Sequence, residues 1–389
     1  MNGSQDESPH LLALGELMGR PPKAFDQIAV RRLIRGRRVL VTGAGGSIGA
    51  ELVRQIASLS PGHLTLVDNS EFGLYAIDQY LRDHRPELSR QAVLCDIRDR
   101  YLVESWFAHE APEVVFHAAA LKHVPMSEDH PIEAVRTNIL GTQNVADACA
   151  EHGVDTMVFV STDKAVNPLS VMGATKRCAE AYCQALDIEG SETRFVSVRF
   201  GNVLGSSGSV VPLFQRQIAE GGPITLTHPD VSRYFMTLAE AVSLLLQAAT
   251  LRETPDTVRG AVHVMDIGEP IRIADLARMM IRMAGRRPDE DIELRIVGLR
   301  PGEKLHEELV HPDEARLLRT PSGLTLAGPR TGPLSSLRDC FARMADAAVR
   351  LDGEATRDLI REIVPEYVPG GMFQPRLPAL VVARDADVA

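Results

Sequence analysis

Lysine is scarce in this chain of 389 residues. Five of its 42 basic residues are lysines and the other 37 are arginines, so arginine serves wherever positive charge alone is enough. Each remaining lysine is therefore a candidate for a role that needs a compact or titratable amine, which arginine cannot supply. Four of the five fall within the motifs described below, and these are Lys122, Lys164, Lys176 and Lys304.

Long apolar runs and paired cysteines are also missing. The most apolar stretch, from Ala241 to Leu251, is interrupted by polar residues and falls short of the roughly 18–20 residues that a membrane span needs. The first ten residues are polar and acidic, without the apolar core of a signal peptide. The five cysteines have no C-x-x-C or zinc-ligand spacing, so we expect buried, reduced thiols and no metal site. These absences predict a cytoplasmic protein without an integral membrane segment.

The composition is that of a globular protein, with 44% hydrophobic and 24% charged residues, which excludes bulk disorder. Asp and Glu outnumber Lys and Arg by 52 to 42, and the resulting net charge of −10 argues against nucleic acid as a partner. Any phosphate group must then be held locally, by backbone amides or by a few placed arginines.

Strand and helix patterns alternate from residue 37 onward. Short runs of apolar, β-branched residues predict strands at 38–42, 63–68, 91–96, 113–117, 156–161 and 194–199. Near-continuously apolar strands with helices between them are typical of a parallel sheet covered on both faces. The predicted fold is α/β, a Rossmann-type doubly wound parallel sheet with a smaller C-terminal substrate-binding lobe. The predicted boundaries are 1–36 for a leader, 37–204 for the Rossmann domain, 205–330 for the lobe, and 331–389 for a C-terminal helix and irregular tail.

A glycine-rich turn joins the first predicted strand to the first predicted helix. Its glycines permit a tight turn and a close backbone approach to a pyrophosphate, and the helix N-terminus supplies amides and a positive dipole end. Asp68 ends the next strand about 20 residues on, where a carboxylate suits the adenosine ribose. It would repel a 2′-phosphate and no arginine follows it directly, so NAD is favoured over NADP. The predicted cofactor residues are Gly43, Gly45, Gly46, Ser47, Ile48, Gly49, Asp68, Asp96, Ile97 and Ala118.

Several dispersed motifs give the sequence a specific resemblance to a known family. The G-x-x-G-x-x-G turn, Asp96 and the strand end at 117–120 resemble the extended short-chain dehydrogenase/reductase superfamily over residues 37–330. Within it, the chain is similar to the CapD-type polysaccharide-biosynthesis nucleotide-sugar 4,6-dehydratases, which act on UDP-N-acetylglucosamine. The motifs that carry this closer resemblance are LKHVP (121–125), STDKAVNP (161–168), VMGATKR (171–177), RYFMT (233–237) and GLRPGEK (298–304).

The resemblance implies a reaction with three tasks: oxidation of the C4 hydroxyl, elimination of water across C5–C6, and return of the hydride to C6. Because the C4 ketone acidifies the C5 proton, the elimination needs a base near C5 and an acid near the C6 hydroxyl. The family pattern makes Asp163 this acid and Lys164 this base, at a strand end where open α/β sheets bind ligands. A base role requires a lysine whose pKa is lowered.

Met172 and Lys176 occupy the place of the superfamily's Tyr-x-x-x-Lys. Side chains four residues apart share a helix face, so Lys176 can hold the nicotinamide ribose. Met172 has no proton to exchange, and the C4 hydroxyl proton is therefore assigned to Thr162. The predicted catalytic residues are Thr162, Asp163, Lys164, Met172 and Lys176.

The resemblance also implies contacts with a UDP-sugar substrate. Arginine suits bidentate contact with a diphosphate, and the residues at matching family positions are Asn202, Arg233, Arg300 and Glu303. Lys122 and His123 follow the fourth strand and are expected to face the sugar. Many family members carry an N-terminal membrane region and a further domain, and this chain is expected to be the soluble catalytic part. A homo-oligomer is also expected.

Two other functions stay open at this point. A nucleotide-sugar 4-epimerase needs only the C4 redox step and has little use for adjacent Asp163 and Lys164. A non-catalytic protein that binds NAD or a nucleotide sugar would explain the missing tyrosine. The residues that argue against it are the intact Thr162, Asp163, Lys164 and Lys176. His117 ends a strand and is interpreted as a structural histidine.

Overall fold

The strands form where the sequence is apolar and β-branched. The computed structural model describes residues 26–206, 208–251, 259–265, 267–314, 316–319 and 324–370. The strands within these residues are β1 (Arg38–Thr42), β2 (His63–Asp68), β3 (Arg90–Leu94), β4 (Val114–His117), β5 (Thr156–Val160), β6 (Arg194–Arg199), β7 (Asn202–Val203), β8 (Ile224–Leu226), β9 (Ser232–Arg233), β10 (Phe235–Met236), β11 (Val262–Met265), β12 (Ile271–Arg272), β13 (Leu294–Ile296), β14 (Arg316–Arg319) and β15 (Leu324–Ala327).

The helices lie between the strands, and many begin at a polar residue that caps the first turn. Asp99, Ser170 and Thr237, for example, each accept a hydrogen bond from a backbone N–H of the helix that follows. The α-helices are α1 (Gln27–Ile34), α2 (Ser47–Ser58), α3 (Glu71–His84), α4 (Arg100–Glu110), α5 (Val124–Asp129), α6 (Pro131–Ala134), α7 (Thr142–Glu151), α8 (Val171–Ile188), α9 (Val210–Ala219), α10 (Leu238–Thr250), α11 (Ile273–Met283), α12 (Leu334–Val349) and α13 (Gly353–Ile363).

A nine-stranded sheet forms the centre of the molecule, in the order β14-β15-β11-β6-β5-β4-β1-β2-β3. The strands from β3 to β11 in this order run parallel, and β4 and β5 are buried along their whole length. Apolar cores cover both faces of the sheet. The α/β Rossmann-type fold is thereby confirmed. The strand order reverses between β1 and β4, which is the point where such sheets bind ligands.

The range 205–330, predicted to form the substrate lobe, divides between two parts of the structure. A smaller core packs α9 and α11 against β8 and β13, with Phe214, Leu276 and Ile281 at its centre. In contrast, β11 pairs in parallel with β6, and β15 and β14 follow it antiparallel at the sheet edge. The strand β11 is buried throughout, which places it in the main sheet rather than in the smaller core. The domain boundaries themselves stay a prediction.

Segments near both ends of the described chain pack onto the main core. Val30 and Ile34 of α1 are fully buried, so part of the predicted leader belongs to the folded unit. The C-terminal region forms two helices rather than one, α12 and α13, and the ring of Phe341 in α12 stacks on Tyr182 of α8 at 5.1 Å between centroids. The rest of the predicted leader, 1–25, and most of the predicted tail, 371–389, lie outside the described residues.

All five cysteines are buried and unpaired, as the sequence predicts. No helix in the described part of the chain is long and apolar enough to span a membrane. The cytoplasmic location and the homo-oligomer stay predictions.

Candidate active site

A cleft of about 650 Å³ opens at the carboxyl ends of the parallel strands. Its walls are the glycine turn, the segments that follow β4, β5 and β6, the start of α8, and a segment at 300–307 that belongs to the smaller core. Most of the residues predicted for catalysis, cofactor and substrate line this cleft. The exceptions are Asp68, Asp96, Ile97 and Asp163.

The glycine turn leaves no room for a side chain at positions 43, 45 and 49. Gly43 has a φ of 68°, and a Cβ added there would lie 2.6 Å from the backbone nitrogen of Ala119. A Cβ added at Gly49 would lie 1.9 Å from the carbonyl oxygen of Gly43. The helix α2 starts directly after Gly46, and no side chain caps its first turn. The bare backbone and the uncapped helix start form a cradle that fits a dinucleotide pyrophosphate.

The residues predicted for the adenosine half stand beside this cradle. Asp68 accepts hydrogen bonds from the backbone nitrogens of Gly45 at 2.8 Å and Ser70 at 2.8 Å, so it fixes the glycine turn as well as the end of β2. The carboxylate of Asp96 is paired with Arg98, and burial opposed by Arg98 leaves its pKa lowered. Ile97 is buried in the apolar core, which leaves its backbone rather than its side chain as the group able to meet an adenine ring.

The segment Thr162-Asp163-Lys164 forms a turn directly after β5. The Thr162 hydroxyl donates to Asp163 Oδ1 at 2.9 Å, and Lys164 Nζ donates to the same oxygen at 3.0 Å. Asp163 is fully buried, and its Oδ2 has no hydrogen-bond partner among the described residues. It therefore meets the cleft through Thr162 and Lys164, whereas the sequence predicts direct contact with the substrate. Close packing fixes the turn, because a Cβ added at Gly173 would lie 2.2 Å from the Lys164 carbonyl oxygen.

Three further groups surround the amine of Lys164. Its Nζ donates to Asn202 Oδ1 at 3.1 Å and lies 3.6 Å from Glu307 Oε1. Burial lowers the pKa of Lys164, but the carboxylates of Asp163 and Glu307 outweigh burial and hold the pKa above its ordinary value. Arg233 opposes them only in part. The lowered pKa that a base role requires is therefore not found in the resting site, because two carboxylates rather than a cation dominate the surroundings of Lys164.

Met172 and Lys176 lie one helical turn apart on the face of α8 that borders the cleft. They are 4% and 6% exposed, and Lys176 Nζ lies 4.0 Å from the ring centroid of Phe159. Burial lowers the pKa of Lys176 to about 7, against an opposing effect of Glu180. His117 is also buried and is hydrogen-bonded through both ring nitrogens to threonine hydroxyls, which supports its structural interpretation. Burial, followed by Lys176, lowers the pKa of His117 to about 3.

Asn138 is a buried site residue that sequence reasoning missed. It belongs to a π-helical turn at Val135–Gly141, a feature often found near functional sites. Its side chain holds both backbone groups of Leu121, at 2.8 and 3.0 Å, and donates to Thr175 Oγ1 at 3.0 Å. It thereby pins the loop that carries Lys122 and His123 to α8. A polar residue inside the helix predicted between the fourth and fifth strands is the signal that could have indicated it.

The two arginines predicted to bind the substrate differ in how many groups of the protein already engage their side chains. The Arg233 guanidinium is buried and donates to Glu303 Oε1 at 3.2 Å and to several backbone carbonyls. Glu303 also accepts from the backbone nitrogen of Arg300 at 3.2 Å, so it braces the 300–303 turn. The Arg300 side chain is exposed at the cleft and makes no ion pair within the described part of the chain. Arg300 is thus the freer of the two for an incoming anion.

Comparison with known proteins matches this architecture. A profile described as "Polysaccharide biosynthesis protein" covers residues 39–323. The chain is 47% identical over 300 residues to the capsular polysaccharide biosynthesis protein CapD of Staphylococcus aureus, covering 77% of this chain and 49% of that protein. It is 32% identical to a UDP-N-acetylglucosamine 4,6-dehydratase (inverting) of Campylobacter jejuni, covering 73% of this chain and 80% of that protein. It is 34% identical to a UDP-glucose 4-epimerase of Rickettsia canadensis, covering 72% and 79%.

A solved structure supports the same assignment. The X-ray structure of Pen from Bacillus thuringiensis superposes with a TM-score of 0.69 at 32% identity, covering 79% of this chain and 98% of that one. The chain spans about half the length of CapD, so the activity of that whole protein does not transfer directly. Dehydratases and epimerases both occur among the relatives. The chain belongs to the polysaccharide biosynthesis protein family, as a CapD-type member of the extended short-chain dehydrogenase/reductase superfamily.

Proposed function

We propose that this protein is an NAD-dependent UDP-N-acetylglucosamine 4,6-dehydratase. The observation that carries the proposal is the hydrogen-bonded pair of Lys164 Nζ and Asp163 Oδ1, 3.0 Å apart, with Lys164 facing the cleft. Elimination across C5–C6 needs such an acid–base pair, whereas a 4-epimerase needs only the C4 redox step. A relative named for this dehydratase activity adds support.

The cradle of the glycine turn fits NAD. Gly43, Gly45 and Gly49 leave the backbone bare for the pyrophosphate. Asp68 is the last residue of β2, and its carboxylate suits a free ribose hydroxyl but would repel a 2′-phosphate. A bound NAD would supply the redox chemistry of the reaction, with C4 as the hydride source and C6 as its destination. We expect tighter binding of NAD than of NADP, measured by titration calorimetry, and equal or tighter binding of NADP would contradict the role of Asp68.

Thr162 and Lys176 are proposed to handle the C4 hydroxyl proton in place of the missing tyrosine. The Thr162 hydroxyl donates its own hydrogen to Asp163 and accepts from the backbone nitrogen of Lys164 at 3.3 Å, which leaves one oxygen lone pair to accept from the substrate. Burial lowers the pKa of Lys176 to about 7, so its amine can lose and regain a proton near neutral pH and can hold the proton while the ketone exists. The positive charge of a bound nicotinamide would favour this neutral amine further.

The elimination begins with one proton moving along the Lys164–Asp163 hydrogen bond. This shift converts the ion pair into a neutral amine and a carboxylic acid, and exclusion of water from the cleft favours it. The amine of Lys164 then takes the C5 proton, while Asp163 supplies its proton through Thr162 to the C6 hydroxyl, which leaves as water. Lys164 returns a proton to C5 when the hydride reaches C6. The proton held by Lys176 then restores the pair. The water therefore carries the proton that began on Lys164, and the C4 hydroxyl proton replaces it.

Mass spectrometry on a reaction with UDP-N-acetylglucosamine tests the proposal. A dehydratase lowers the product mass by one water, and in deuterated water it introduces label at C5. A 4-epimerase leaves the mass unchanged and C5 unlabelled. Binding of NAD and the sugar nucleotide without any product would indicate a non-catalytic binding protein.

A further inference from the structure

Glu307 is a buried carboxylate of the cleft wall that the chemistry above leaves without a role. Its Oε1 lies 3.6 Å from Lys164 Nζ and 3.8 Å from Arg233 Nε, and its Oε2 lies 3.6 Å from Lys304 Nζ. The side chain is 3% exposed, yet Oε2 has no hydrogen-bond partner in the part of the chain that the structure describes. An ionised, incompletely bonded carboxylate at such a site is costly, so its retention calls for a function.

The fold holds Glu307 against the turn that carries Lys164. Lys304 Nζ, itself buried, donates to the carbonyl oxygen of Val166. Asn167 donates to Glu308 Oε2, one residue beyond Glu307. These two contacts join the 304–308 segment to residues 166–167, just after the Lys164 turn. The separation between Glu307 and Lys164 is therefore set by contacts on both sides.

Charge on Lys164 changes during the elimination, and Glu307 is placed to respond to it. When the neutral amine takes the C5 proton, positive charge develops at Nζ. At the start of this step Asp163 still carries its proton in the proposed sequence, so its negative charge becomes available only as that proton leaves. Glu307 is the remaining carboxylate within 4 Å of Nζ among the described residues. A fixed charge aimed at developing charge is an effective form of catalysis, since it requires no reorganisation.

We propose that Glu307 is a positioning residue that sustains the basicity of Lys164 in the C5 step. This inference rests on the proposed dehydratase function. It separates Glu307 from the C4 oxidation, because Thr162 and Lys176 are not among its contacts. The buried carboxylate raises the affinity of the Lys164 amine for a proton, and Arg233, which also faces Lys164, lowers it.

The test compares Glu307→Gln with Glu192→Gln, the same change at an exposed residue that does not line the cleft. Both variants are assayed with NAD and UDP-N-acetylglucosamine for NADH absorbance in a single turnover and for deuterium incorporation at C5 across pH. At pH values above the rising limb of the pH profile, Glu307→Gln is expected to slow C5 exchange by about a hundredfold, the order that removal of one preorganised charge costs. Its NADH formation should stay close to that of the wild type.

The pH profile of exchange supplies a readout that loss of structure alone would not give. Because the Glu307 carboxylate raises the pKa of Lys164, its removal should move the rising limb of C5 exchange to lower pH. Glu307→Asp keeps the charge and should recover part of the rate. Glu192→Gln should match the wild type in both measurements.

Two results would overturn the inference, and they are distinguishable. If the wild type exchanges C5 and Glu307→Gln exchanges equally well, or loses NADH formation to the same extent, Glu307 has no specific part in the C5 step. If the wild type neither exchanges C5 nor loses water, the dehydratase function itself fails and the inference falls with it.

Discussion

The two ends of the cleft are built by different means. The nucleotide end consists of backbone: glycines 43, 45 and 49 pack against neighbouring main chain, and the uncapped start of α2 offers its amides. The chemical end consists of buried side chains, with Asp163, Lys164 and Glu307 brought together from two distant segments. The nucleotide end therefore depends on the absence of side-chain atoms, and the chemical end depends on the balance between charged groups.

This difference teaches how each end should fail. An added methyl group at the nucleotide end displaces main chain and weakens cofactor binding, while the chemistry of any bound complex is unaffected. Loss of a charge at the chemical end leaves the cradle intact and stops a single step. Variants should therefore separate binding from turnover, and the following predictions run from the largest expected effect to the smallest.

Lys164→Met is expected to have the largest effect, because it removes the amine and keeps most of the side-chain length. Loss of a general base typically costs about 10²–10⁴ in rate. Dehydration and C5 deuterium exchange should fall by that amount, while NAD and UDP bind as in the wild type. Lys164→Arg serves as the control for charge, since it restores the cation but not a titratable amine. Full exchange in Lys164→Met would assign the C5 base to another group.

The nucleotide end could be predicted largely from the sequence, and the chemical end only in part. A strand, a glycine turn and a helix are contiguous, so local pattern and backbone sterics determine them together. The position of Lys164 after β5 follows from the same alternation. The direction of the pKa shift of Lys164 could not be predicted in this way, because Glu307 comes from a segment more than a hundred residues away.

Residues that position other residues through hydrogen bonds could also not be predicted from the sequence. Asn138 pins the loop after β4, and Glu180 bonds both Ser161 and the buried Arg199. Each is a polar residue within a helical segment, and its hydrogen-bond partners are determined by tertiary packing. Tertiary packing also explains why the range 205–330 divides between two parts of the structure. Strand β11 joins the main sheet by pairing with β6, and the local sequence pattern does not predict this pairing.

Thr162→Val is expected to have the next largest effect, and it acts before the Lys164 step. The valine keeps the shape of threonine and removes the hydroxyl that bonds Asp163 Oδ1. C4 oxidation should slow by about a hundredfold, the lower range for loss of a proton-transfer group. NADH absorbance in a single turnover measures it, and Thr162→Ser, which keeps the hydroxyl, should stay near the wild type. An unaffected valine variant would leave the C4 proton acceptor unidentified.

Gly49→Ala tests the nucleotide end, with Gly46→Ala as its matched control. The added Cβ would lie 1.9 Å from the Gly43 carbonyl oxygen at position 49, but 3.3 Å from it at position 46. Overpacking of this kind costs about 1–3 kcal/mol, and each 1.4 kcal/mol is about tenfold in affinity. NAD affinity should fall about tenfold or more in Gly49→Ala and less in Gly46→Ala. Equal affinities would mean that the turn relaxes at little cost.

Met172→Leu should have the smallest effect, although Met172 stands where the superfamily has its catalytic tyrosine. The side chain is buried beside Lys176 and carries no exchangeable proton, so the assignment of the C4 proton to Thr162 and Lys176 makes Met172 a packing residue. Volume-conserving swaps usually cost less than about 1.5 kcal/mol. Turnover should therefore stay within a few-fold of the wild type. A loss as large as that of Thr162→Val would show instead that the methionine contacts the reacting atoms, and that the chemical end extends one turn further along α8 than its charges indicate.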